Sequence, residues 1–274
     1  MTRSPAIWVY ALAREPLPVD RLAGLSGVDG TPVDTVVAAG LVAVTGRVDP
    51  DRYDTETLRR NLSDLAWLEP TARAHHRVTE EVWRLGPVVP VRLATVYRDE
   101  AAVRAVLTER RTELAVALDQ VVGRAEWGVK GYVSDRPAVP ATEGGAAGGG
   151  LPGAGAGADY LRRRRAALQA SEAAQEAAVR DAAAVHAVLA RHAEAARQHR
   201  PQERALSGVA EQMMLNGAYL VASERATEFG DLVGRLGATH PNLRLELTGP
   251  WPPYSFAALA EEPTGGGSER AVAR

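Results

Sequence analysis

Adjacent histidines followed by adjacent glutamates, His75-His76 and Glu80-Glu81, form the pattern in this chain most like a metal site. On a helix His76 and Glu80 share a face at i, i+4. Neighbouring histidines, however, point about 100° apart, and zinc hydrolases need two histidines on one face. The pair therefore reads as structural or surface histidine. His186, His192 and His199, spaced six and seven residues apart, form no chelating pair on one helix. Nucleophilic chemistry has no better support. With no cysteine in the chain, thiolate catalysis, disulfides, zinc ribbons and iron–sulfur sites are excluded, and no G-x-S-x-G elbow presents a serine. The run GGAAGGGLPGAGAG (144–157) lacks the Gly-Lys-Ser/Thr ending that holds phosphates and magnesium, so its composition reads as linker. The expectation is a protein that is not an enzyme and takes neither cofactor nor metal.

Two segments have instead the chemistry of partner surfaces. YLRRRR (160–165) sets Arg162, Arg163, Arg164 and Arg165 at a helix start, where positive charge opposes the helix dipole, so a solvated basic patch facing a partner is expected. ELTGPWPPYSF (246–256) surrounds Trp251, Tyr254 and Phe256 with three prolines and a glycine, which makes a stiff extended segment carrying large rings. It reads either as a strap folding those rings back over a sheet or as a free docking motif, and both can hold for different rings. Trp251 and Tyr254 join the four arginines as candidate partner-binding residues.

The rest of the composition limits which partners are reasonable. The 32 Lys+Arg against 34 Asp+Glu leave a net charge of −2, so no chain-wide basic field favours nucleic acid. No apolar run approaches the ~20 residues of a membrane span. The apolar N-terminal run is broken at Arg14-Glu15, too soon for an export signal, and a cytoplasmic location is expected.

The elements that must position these residues suggest an α+β chain of two domains, since 274 residues with 46% hydrophobic content can bury two cores at ~150 residues each. An N-terminal α+β domain is expected over 1–86. Within it Ile7, Val9 and Ala11 alternate with Trp8, Tyr10 and Leu12 in a strand apolar on both sides; Val33 to Ala38 and Leu41 to Val48 flank a short turn; and helices cover 55–68 and 70–85. Pro70 falls either in the first turn of the second helix or at a kink in one longer helix. A C-terminal domain over 87–260 repeats a β-α-β pattern: strand 87–97, helix 99–122, strand 124–133, then strand 211–222, helix 224–236 and strand 242–249. Two such units predict a modified ferredoxin-like, or split β-α-β, fold. It would carry the linker 136–158 and a long helix 159–200 as an insertion, and 261–274 reads as a disordered tail.

Taken together, IWVYAL (7–12), HHRVTEEV (75–82), PVRLATVY (90–97), ERRTEL (109–114), EWGVK (126–130), YLRRRR (160–165), MLNGAYLV (214–221) and ELTGPWPPYSFA (246–257) resemble the gas vesicle GvpL/GvpF proteins, in order and over about residues 6 to 257. One departure is Leu93-Ala94, where the family pattern leads one to expect an aromatic-glycine pair. The resemblance implies a two-domain accessory or minor structural protein of gas vesicles, intracellular gas-filled protein shells. It also implies partners, namely the very hydrophobic shell subunit and other accessory vesicle proteins, and no catalytic residues. The mechanism expected from it is binding of unassembled shell subunits so that their apolar surface is shielded until assembly. The alternative is a ferredoxin-like small-molecule-binding or regulatory protein.

Overall fold

The run AIWVYALA has no polar side, and a strand with two apolar faces must be covered twice. In the computed structural model, which describes residues 4–134, 156–201 and 212–256, this run is β1 (Ala6–Arg14), buried from Ala6 to Ala13. β1 pairs antiparallel with β3 (Leu41–Val48), which pairs with β2 (Val33–Ala38). The β2–β3 turn is made by Ala39 and Gly40, at φ of 55° and 77°, as a two-residue hairpin of matching twist requires. The other edge of β1 takes two short strands, β4 (Val89–Pro90) and β5 (Val96–Tyr97). Beyond β3 come α1 (Thr55–Asn61) and α2 (Leu65–Leu85), capped by the side chains of Asp54 and Asp64. α2 sets Val78 and Val82 against Trp8 and Tyr10. On the opposite face α3 (Glu100–Glu109) and α4 (Arg111–Val121) set Val103, Leu107, Leu114 and Leu118 against Ile7, Val9 and Leu12.

The remaining elements are β6 (Arg124–Val133), α5 (Ala156–His192), β7 (Ala195–Gln198), β8 (Met213–Ala222), α6 (Ala226–Thr239) and β9 (Leu243–Trp251). They form a four-stranded sheet in the order β7-β8-β6-β9. The end of β6 lies beside the starts of both β8 and β9, with Val133 N–H donating to the Gln212 carbonyl and Ser134 N–H to that of Asn242 (both 2.9 Å), so both pairings are antiparallel. α5 and α6 share one apolar cluster with this sheet: Ala178, Val185 and Leu189 of α5 and Phe229, Val233 and Leu236 of α6 meet Val129, Leu215 and Tyr219. By contact density the chain forms two units, residues 1–126 with 250–274 and residues 127–249, so it changes unit inside β6 and again inside β9.

Several expectations are corrected by this arrangement. Segment 87–97 is not one strand opening the second sheet but β4 and β5 on the edge of the first, separated by a turn in which Ala94 takes φ of 63°. Pro87 therefore lies inside the first unit. Pro90 fits an edge position, where a missing N–H costs least. The helix expected over 99–122 is broken at Arg110 (φ −100°, ψ 17°) and belongs to the first sheet. The long helix ends at His192, well before Pro201, because the free edge of β8 offers backbone partners that outweigh helix propensity: Glu194 N–H donates to Leu220 O and His199 N–H to Asn216 O, both at 2.8 Å. Residues 156–158, assigned to the linker, are the first turn of α5. α2 starts at Leu65, so Pro70 lies past its first turn. In β1 the register jumps between Val9 and Ala11, so Tyr10 is an extra residue and Ala11 shares a face with Trp8 and Tyr10 while Leu12 joins Ile7 and Val9. A β-bulge of this kind defeats a period-2 reading. The rest of the linker and the tail 261–274 lie outside the described residues.

Candidate functional site

The histidine pair divides between two roles. His75 is 3% exposed and sits on α2 facing β1. The indole N–H of Trp8 donates to its Nδ1 at 3.0 Å, which places the ring hydrogen on Nε2, 3.0 Å from the Val91 carbonyl that accepts it. Both ring nitrogens are thus occupied. Burial holds its pKa down at about 4, against a smaller opposing effect of the Val91 hydrogen bond. Glu80 and Glu81 both pair with Arg84, at 2.6 and 2.5 Å. Among the described residues no group of three or more His, Cys, Asp or Glu side chains comes together as a metal site.

His76, one residue on, turns to the C-terminal segment. Its ring lies 5.7 Å from that of Trp251 and 5.8 Å from that of Tyr254, and its Nδ1 is 3.2 Å from the Tyr254 hydroxyl. Pro252, Pro253 and Phe256 are buried, and the Glu126 carboxylate accepts from both the Ser255 backbone N–H and its hydroxyl, each at 2.7 Å. Burial pushes the Tyr254 phenol up to about 12, so it stays protonated at neutral pH. This is the strap arrangement for Tyr254 and Phe256, while Trp251 remains 40% exposed. The sequence admitted both readings, and the folded chain divides them between different rings.

The arginines stand on α5, in the other unit. Every described side chain from 160 to 176 is exposed, and burial begins only at Ala178. Leu161 and Leu168, at 65% and 57% exposure, lie seven residues apart on one face of the helix, and Tyr160, at 55%, lies about 100° round from Leu161. Arg164 reaches the Tyr160 hydroxyl at 3.3 Å, a contact between neighbouring turns of the helix.

A third feature was missed at the level of sequence. A groove of about 900 Å³ opens in the first unit between α1, the 93–98 segment and α3, with Tyr53, Leu58, Leu62, Leu93, Val96 and Val106 among its walls. Leu62 is 43% exposed and nearby Leu65 77%. The turn at its lip is closed by Thr95, whose N–H and hydroxyl both donate to the Arg92 carbonyl, and it forces Ala94 into the left-handed region. The one signal in the sequence was Leu93-Ala94 standing where a glycine-containing pair was expected; the backbone shows why glycine suits the position.

Comparison with known proteins places these features in a family. The profile described as "Gas vesicle synthesis protein GvpL/GvpF" matches residues 6–258. The chain is similar to Gas vesicle protein L of Streptomyces sp. (strain CB03234), at 41% identity over 265 residues covering 93% of this chain and 94% of the relative. It is also similar to Gas vesicle protein F of the same strain, at 27% identity over 91% of this chain and 98% of the relative. Among solved structures, GvpF from Anabaena sp. PCC7120 superposes with a TM-score of 0.62 at 18% identity, covering 94% of this chain and 98% of that one. GvpF from Microcystis aeruginosa gives 0.62 at 19%, covering 93% and 100%. At such identities the two structures speak for a shared mixed α and β fold.

Proposed function

Because the chain belongs to the GvpL/GvpF family of gas vesicle synthesis proteins, we propose that it is a non-enzymatic accessory protein that binds the hydrophobic shell subunit and supports vesicle assembly. The observation that carries this reading is the outer part of α5. Every described side chain along 160–176 is exposed, so this stretch of α5 gains no packing of its own there, and it carries exposed Leu161 and Leu168 in the same stretch as a run of four arginines, which lies not at the helix start, as expected, but beyond the first turn that begins at Ala156. A partner that covers Tyr160, Leu161 and Leu168 and supplies carboxylates to Arg162, Arg163, Arg164 and Arg165 takes this apolar surface out of water and pairs the charges. In this reading Trp251 offers a second apolar contact, and Tyr254 holds the strap that presents it. The second unit, with chain order β6-α5-β7-β8-α6-β9 and sheet order β7-β8-β6-β9, we read as a split β-α-β, ferredoxin-like arrangement whose first strand is β6 and whose first helix is α5.

The test is co-purification with a tagged shell subunit, together with vesicle yield in cells. Reversing Arg162 to Arg165 to glutamate, and separately Trp251→Ala, should each lower both, at unchanged thermal unfolding temperature. Capture of the subunit and vesicle yield both unaffected by the arginine and tryptophan changes in folded variants defeat the binding reading.

A further inference from the structure

The groove in the first unit is independent of α5 and of the strap. Most of its lining residues are apolar, yet they are left open beside exposed Leu62 and Leu65, and α1, which forms one wall, buries none of its own residues fully. A volume of about 900 Å³ corresponds to roughly two turns of helix, at ~10 Å diameter and ~1.5 Å rise per residue. An extended strand is a poorer fit, because the sheet edge it would have to extend, β5, is two residues long and is too short to template pairing. Arg59 and Arg98 are among the lining residues. Their carboxylate partners, Glu56 at 3.6 Å and Asp99 at 3.3 Å, are not, and both pairs are exposed, so an incoming carboxylate can replace either at little cost. The one lining carboxylate, Asp54, is already engaged as the N-cap of α1, accepting from Glu56 N–H, Thr57 N–H and the Thr57 hydroxyl.

We propose that this groove receives an amphipathic helix whose apolar face is flanked by carboxylates, the apolar residues filling the space between α1 and the 93–98 segment while Arg59 and Arg98 take the acidic flank. Resting on the function proposed above, the helix is one offered by the shell subunit. The strained turn at Ala94 then has a use, since it sets Leu93 and Val96 on the groove wall on either side of a sharp reversal.

The absence of cysteine permits a single-site test. Leu62→Cys, in the full chain labelled with benzophenone-maleimide, is photolysed in a lysate containing tagged shell subunit. Val37→Cys, at 42% exposure on β2 at the opposite edge of the sheet, is the control. The expected result is a one-to-one adduct with the shell subunit from position 62 and not from 37, reduced about fivefold by Arg59→Glu with Arg98→Glu. Equal adduct from both positions, an adduct only with a second copy of this chain or with another protein, or an unchanged yield after the arginine reversals overturns the assignment. Absence of adduct while the shell subunit still co-purifies overturns the groove alone. Failure to co-purify at all overturns the function on which it rests. Because Leu62 is half exposed, its replacement is expected to leave the unfolding temperature unchanged, and thermal unfolding is recorded for each variant.

Discussion

If the neutral tautomer of His75 is fixed by Trp8 and Val91, the stability of the first unit must depend on pH in a particular direction. Adding a proton at Nδ1 would turn a hydrogen bond into two donors facing each other, the Trp8 N–H and the new imidazolium N–H, 3.0 Å apart between nitrogens. The folded pKa of about 4 lies below the ordinary histidine value of 6.5, so between those values the unfolded chain holds a proton that the folded chain does not, and stability is lost as pH falls. At 1.36 kcal/mol per unit the full window amounts to roughly 3 kcal/mol, of which about 1.5 kcal/mol falls between pH 6.5 and 5, before most carboxylates titrate. Urea unfolding followed by tryptophan fluorescence at several pH values in that interval gives the slope. His75→Gln, which keeps polar atoms but cannot titrate, should be less stable than the parent near neutral pH by about 1–3 kcal/mol and should lose this share of the slope. Equal slopes for parent and variant between pH 5 and 6.5 would refute both the tautomer assignment and the depressed pKa.

Ala94→Gly should stabilise the protein by about 0.5 kcal/mol, because relief of the left-handed strain at φ 63° exceeds the added freedom of the unfolded chain, whereas Ala94→Val should destabilise it by more than ~1 kcal/mol; chemical denaturation measures both. A Cβ on Gly27 would stand 2.0 Å from the Tyr10 hydroxyl, which accepts from Val28 N–H at 2.8 Å, so Gly27→Ala should cost about 2–4 kcal/mol and part of that cost should vanish in a Tyr10→Phe background, a non-additivity read from a double-mutant cycle. Glu126→Ala removes the acceptor of both Ser255 hydrogen bonds and should release the strap at a cost of about 1–3 kcal/mol, seen as new protease cleavage between 250 and 256.

Much of this protein follows from local chemistry. The two-sided apolar run of β1, the Ala39-Gly40 hairpin, the capping aspartates 54, 64 and 99 and the helix propensity of α5 all act within a few residues of themselves, and an element of the matching type appears at each, though α2 and α5 take other bounds than the sequence suggests. The polarity of ELTGPWPPYSF likewise made a packed strap one of its two readings. Decisions that depend on distant partners were not legible. The sequence 87–97 has strand chemistry but no way to indicate whose edge it joins, and the register of β1 against β3, with Tyr10 as the extra residue, is set by pairing across the sheet. The helix of α5 yields to strand after His192 only because β8 presents an unpaired edge. His75 and His76 look alike in sequence, yet a turn of about 100° sends one into the core against Trp8 and the other to the strap. The groove between α1 and the 93–98 segment has no sequence signature beyond an alanine where glycine was expected. It exists because separate elements stop short of one another, and only the folded chain sets that spacing.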